Sequence, residues 1–258
     1  MEQVFIYFPS FLLVLARVAS FFVTLPLFSY RSIPNSHKVG LAFFLSWIIF
    51  FAIEKQQIEI DGYYILLILK EVLIGLFIGL LAFMLLAAIQ IAGGFIDFQM
   101  GFAIANVVDP QTGAQSPILG QYFYTFALLL MLAVNGHHLL IDGIFYSYQL
   151  VPLQKMWIPF ADGGIVEFVL KSFSKMFLIA FQMSIPIVGS LFLVDVALGI
   201  IARTVPQLNI FVIGLPLKII VSFILLIVVM ATLFIAVQQL FELMLVSMQT
   251  LMDLMGGS

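Results

Sequence analysis

Two histidines stand side by side at positions 137 and 138, and Asp142 lies four residues beyond the second. Adjacent residues of a helix point about 100° apart, so His137 and His138 cannot grip one ion from one face. The chain has no cysteine, and Asp142 is the one carboxylate at helical ligand spacing. The stretch "NGHH" therefore reads as a polar break near a membrane interface. Covalent chemistry has no better footing. The sequence holds no G-x-S-x-G, no H-E-x-x-H, no Walker lysine motif and no G-x-G-x-x-G. No catalytic residue, metal site or cofactor is expected, and energy for any transport would have to come from elsewhere.

What remains is a set of polar residues inside apolar runs. In "KEVLIGLFIGL", Glu71, Gly75 and Gly79 fall at i, i+4 and i+8 and share one helix face. Gly75-x-x-x-Gly79 lets two helix backbones approach closely. Ordinary helix–helix packing accounts for this face; a sharper reading adds that Glu71 caps or pairs with a neighbouring subunit, because an intramembrane acid is seldom left facing lipid. From Gly93 to Gln121 the chain carries five glycines and two prolines among Phe95, Phe98 and Phe102, with Asp97 and Gln99 in the same stretch. It reads as one connection running to Pro117. At about 25 residues it far exceeds the common 4–6, and loops that long are usually functional. Asp109-Pro110 starts a turn and Gly113 can close it. A Gly-punctuated, partly apolar loop of this kind suits a constriction or plug.

A third group lies between Asp195 and Lys218. On a continuous helix Asp195 and Arg203 stand about 12 Å apart, too far for a direct pair. Pro206 disfavours helix at Val205, and Gly214 with Pro216 is expected to break it again. A turn holding Pro206, Gln207 and Asn209 then joins two helices of a hairpin. Its tip would meet partner subunits through Arg203 and Lys218.

The elements that must hold these residues follow from composition. The 258 residues are 64% hydrophobic and only 9% charged, against about a quarter charged in soluble domains. The mean hydropathy is +1.22. The fold class is all-α, a polytopic membrane protein of helical hairpins. A net charge of −3 is too small to imply a nucleic-acid partner. Six apolar segments run roughly 4–28, 39–53, 63–92, 118–151, 165–201 and 208–246. The second is short for a crossing, and Pro186 should kink the fifth. Such uneven, broken segments survive only where protein or water satisfies the freed backbone groups. Loop charge places the two basic loops in the cytoplasm and both termini outside. Residues 1–258 form one domain.

Taken together, these stretches resemble the R-type subunit of the bacterial flagellar export gate, the FliR family, related to the T-type subunit of virulence type III secretion. The resemblance rests on Glu71 and Gly75, then Asp97, Gln99, Gly101, Phe102, Asp109-Pro110 and Gly113. It continues through Gly136-His137, Pro152, Pro186, Asp195 and Leu198-Gly199. Arg203, Pro206-Gln207, Asn209, Phe211, Gly214, Pro216 and Lys218 complete the set, while Arg17, Pro26, Pro34 and Lys38 fit the family's opening.

The resemblance implies an assembly with P-type and Q-type gate subunits, and with the B-type and A-type export components. It implies a P-like part over about 1–160 and a Q-like hairpin over about 161–258, within a helical pore in the bacterial cell membrane at the flagellar basal body. Unfolded flagellar proteins would be the substrates, membrane lipid the other partner, and Gly101–Gln121 the plug. A small-molecule secondary transporter with broken helices at Pro186 and Pro206–Pro216 is the competing reading. A membrane enzyme is third, without a nucleophile–base pair at telling spacing.

Overall fold

In the computed structural model, the described residues are 2–28, 33–54, 57–102, 107–108, 115–155, 163–207 and 209–257. Among them the chain forms seven helices: α1 (Glu2–Thr24), α2 (Asn35–Ala52), α3 (Tyr64–Met100), α4 (Ile118–Ala133), α5 (Gly136–Leu150), α6 (Gly164–Thr204) and α7 (Ile210–Gly256). Two short strands, β1 (Val107–Val108) and β2 (Gln115–Ser116), lie between α3 and α4. They pair antiparallel, Val107 with Ser116 and Val108 with Gln115. The class is all-α. Five helices are long and apolar enough to cross a membrane, and α4 with α5 makes a sixth if counted as one broken span.

Three boundaries differ from the sequence reading. Helix α3 does not stop at Ala92 but continues to Met100, so Gly93, Gly94, Asp97 and Gln99 are helical and not loop. Helix α7 begins at Ile210 and runs unbroken through Gly214 and Pro216. Gly214 and Pro216 thus lie inside α7 and not in the connection between α6 and α7. Helix α2 has 18 residues, enough to meet the crossing length that its apolar run alone did not.

The chain divides into two compact units. The first takes Met1–Leu85, Met131–Phe173 and Glu242–Ser258. Its core shows helical spacing: Val14, Val18, Phe21 and Leu25 of α1 and the turn after it are fully buried, as is Ile74 of α3. Met244, Met248, Met252 and Met255 of α7 are buried in the same unit. Unbranched thioether side chains fill such irregular gaps well. The second unit takes Leu86–Leu130 and Ser174–Phe241. Leu86, Ile89, Ile96 and Met100 of α3 and Ile187 and Leu191 of α6 are buried there.

Candidate functional site: two polar clusters in apolar helices

The first cluster sits inside unit one, where α1, α3 and the end of α5 supply its members. Arg17 donates from Nε to Glu71 Oε2 at 2.5 Å, from Nη1 to Ser147 Oγ at 3.0 Å and from Nη2 to the Val151 carbonyl at 2.8 Å. Its guanidinium lies 4.1 Å from the centre of the Tyr148 ring. Lys70 Nζ stands 2.7 Å from Glu71 Oε1. It also donates to the carbonyls of Pro152, Leu153 and Lys155 at 3.3, 2.9 and 2.8 Å. Arg17 and Glu71 are wholly buried and Lys70 nearly so.

Two cations therefore share one carboxylate away from water. The surplus meets backbone carbonyls at and just beyond the C-cap of α5, those of Val151, Pro152, Leu153 and Lys155, at the negative pole of the helix dipole. Each nitrogen of the Arg17 guanidinium and the Lys70 ammonium has an acceptor, which helps the fold tolerate buried charge.

Gly75 and Gly79 make this cluster possible. A Cβ on Gly75 would stand 2.1 Å from Ser20 Oγ and 2.2 Å from the Arg17 carbonyl. One on Gly79 would stand 2.0 Å from Thr24 Oγ1. The small-residue face of α3 thus packs on α1 of the same chain, which brings Arg17 to Glu71. The expectation that Glu71 turns to a neighbouring subunit is corrected: its partners, Arg17 and Lys70, are internal.

The second cluster lies in unit two, where α3, α6 and α7 meet. Asp195 Oδ1 is 2.5 Å from Lys218 Nζ. Gln99 Nε2 donates to Asp195 Oδ2 at 2.8 Å, and Lys218 Nζ reaches the Gln99 carbonyl at 3.4 Å. Asp195 and Lys218 border a cavity of about 350 Å³ lined also by Met100, Gly101, Gly199 and Gly214. Gly101 ends α3 with φ +91°, a conformation that glycine adopts without strain. Two residues before Gln99, buried Asp97 accepts a hydrogen bond from the Leu119 N–H at 2.9 Å. It thereby caps the first turn of α4 from another helix. The helices approach closely here, for a Cβ on Gly93 would fall 2.4 Å from Gly120 Cα.

The other expected residues are scattered. Pro26 is buried in the turn after α1, Pro34 stands at the N-cap position of α2 and Lys38 lies in its first turn. Pro186 lies within α6, its carbonyl accepting from Ser190 Oγ at 2.7 Å. Arg203, Pro206, Gln207 and Asn209 are exposed at the α6–α7 turn, and Pro216 is exposed on α7. Phe102 follows Gly101 directly, and the Gln121 N–H donates to the Pro117 carbonyl at 2.9 Å. Asp109, Pro110 and Gly113 lie outside the described residues. Sequence reasoning passed over Lys70, Ser147 and Tyr148. A signal for Lys70 was present, since a Lys-Glu pair inside an apolar run demands internal partners.

Helices of this apolarity, with ion pairs enclosed among them, define an integral membrane protein of the helical class. Residues 8–244 match the model of the family described as bacterial export proteins, family 1, and the chain belongs to that family. It is 58% identical to the flagellar biosynthetic protein FliR of Bacillus subtilis (strain 168) over all of both chains. It is 32% identical to the protein of the same name from Escherichia coli (strain K12), over 81% of this chain and 79% of that one. It is 28% identical to the Yop proteins translocation protein T of Yersinia pestis, over 85% of each. Nothing in these relatives supports a small-molecule transporter.

Proposed function

We propose that this chain is a structural, pore-forming subunit of the flagellar type III protein export gate. It would act in the bacterial cell membrane at the flagellar basal body, passing unfolded flagellar proteins. P-type and Q-type gate subunits would be its direct partners, with the B-type and A-type export components beside them. Residues of about 1–160 would play the P-like part and about 161–258 the Q-like hairpin. The segment from Gly101 to Gln121 would close the pore.

The observation that carries this reading is the uncovered length of α6 and α7. Within unit two, residues 174–204 and 210–241 each run about 47 Å at 1.5 Å per residue. The hydrocarbon layer is about 30 Å thick. Fitting one into the other needs a tilt of about 50°, beyond the usual 0–40°. Yet Leu193 is 67% exposed on α6, and Ile227 and Val228 are 75% and 71% exposed on α7. Lipid alone cannot cover such a surface end to end, whereas neighbouring subunits can.

The test is co-expression. The chain should be recovered in low yield alone and rescued by the P-type and Q-type subunits, migrating with them as one complex. Equal yield and monodispersity without them would overturn the reading.

A further inference from the structure

We propose that Asp195, Lys218 and Gln99 form a latch that positions the hairpin of α6 and α7 against the last turn of α3, and that export depends on it. The role rests on the gate reading above; the geometry of the latch does not. Three elements meet in it through two side-chain contacts, the Asp195–Lys218 pair at 2.5 Å and the Gln99 amide on Asp195 at 2.8 Å. Lys218 closes the triangle onto the Gln99 carbonyl. Asp195 thus spends one oxygen on α7 and the other on α3. Arg203, eight residues on from Asp195 and too far along the helix to pair with it directly, is exposed in the last turn of α6.

The place of the latch decides its role. It grips α3 one residue before Met100 and two before Gly101, where the helix ends with φ +91°. The direction in which the chain leaves α3 is therefore fixed by groups on α6 and α7. The pair is also partly open: Lys218 is 20% exposed and Asp195 37%. Ion pairs at such exposure add little to folding. Their loss should be felt as misplacement of the helix end before it is felt as unfolding, unlike loss of the enclosed Arg17–Glu71 pair. The open space beside the latch allows this, because the glycines at 199 and 214 leave part of the cavity wall without side chains.

The natural chain has no cysteine, so a single Leu198→Cys thiol at the cavity wall reports on the latch without background. Its labelling rate is measured in full-length protein with Asp195→Lys, with Lys218→Asp and with the two combined. Export of flagellar subunits is measured in cells carrying the same variants. Each single reversal should speed labelling about five-fold, as loss of one such pair shifts a local opening, and should lower export with complex recovery retained. The double reversal rebuilds the pair with opposite polarity and should bring both readouts back toward the parent values. An effect of either side chain alone, apart from the pair, would not be rescued by the swap. Where a reversal prevents recovery of the protein, Asp195→Asn and Lys218→Gln replace it, and they should also speed labelling. Wild-type labelling in the single or neutral variants, or a double reversal no better than its worse parent, would overturn the latch. If labelling responds as expected while export does not, the latch stands as geometry and its role in export falls. Failure of the parent chain to join the gate subunits would count against the gate reading alone, since the labelling arm does not depend on it.

Discussion

The Arg17 guanidinium and the Glu71 carboxylate meet at 2.5 Å with neither side chain exposed to any extent. They come from positions 54 residues apart in the chain, so no local spacing could have paired them. Glu71 is the single carboxylate for both Arg17 and Lys70. Glu71→Gln should therefore strand two buried cations. Breaking a buried pair from one side costs about 3–5 kcal/mol. Lys218→Gln, at the partly exposed pair, should cost about 0–1 kcal/mol. Thermal unfolding of the two purified variants in detergent should rank them in that order by a wide margin. Equal midpoints would show that the Arg17–Glu71 cluster is not the stronger of the two.

The close approach of α3 to α1 makes a second prediction. Gly75→Ala places a methyl where Ser20 Oγ and the Arg17 carbonyl stand at 2.1 and 2.2 Å. The carbonyl belongs to a helix backbone and cannot swing aside. Overpacking of this kind costs about 1–3 kcal/mol or more. Gly189→Ala meets nothing within 4 Å and should be neutral or stabilising by up to about 1 kcal/mol through helix propensity. The comparison is read in the unfolding midpoint and in the yield of folded protein. A Gly75→Ala protein as stable as the Gly189→Ala protein would refute the packing face.

How much of this could be seen in the amino-acid sequence depends on the range of the interaction. The all-helical membrane class and the glycine face of α3 followed from composition and from spacing within one helix. Gly93 and Gly94 were misleading. A glycine pair marks either a helix end or a place where another backbone comes close. Only the position of Gly120 against Gly93 decides for the second. Pro216 misled in the same way, since a proline that ends an isolated helix is accommodated inside α7. The charges at Arg17, Glu71 and Asp195 announced a need for partners without saying where those were. The sequence reading looked to other subunits, whereas tertiary packing supplies them within the chain.

Asp97 makes a third prediction. It caps α4 through the Leu119 N–H at 2.9 Å, and Asn can accept the same bond while Ala cannot. Losing such a cap typically costs about 1 kcal/mol. Amide exchange in the first turn of α4 should quicken in Asp97→Ala and stay near the parent rate in Asp97→Asn. The rest of α4 should change less, because only its terminal donors depend on the cap. Equal exchange in the Ala and Asn variants would mean that the bond does not hold this helix end.

The last prediction concerns the stretch between α3 and α4. Its ends are fixed by different groups: Gln99 is held by Asp195, and Leu119 by Asp97. The β1–β2 pairing brings Val107 opposite Ser116. Removing residues 107–116 takes out both strands and leaves these anchors in place. The deletion should therefore leave complex recovery largely intact. If the segment closes the pore, as we propose, the assembled complex will then leak small ions or solutes, because apolar constrictions block flow by packing and dewetting. Solute influx or conductance is measured in vesicles holding the complex, and growth is followed in cells expressing it. The same deletion expressed without the other gate subunits is the control and should not leak. Unchanged permeability in a complex of confirmed composition would show that the pore is closed by something else.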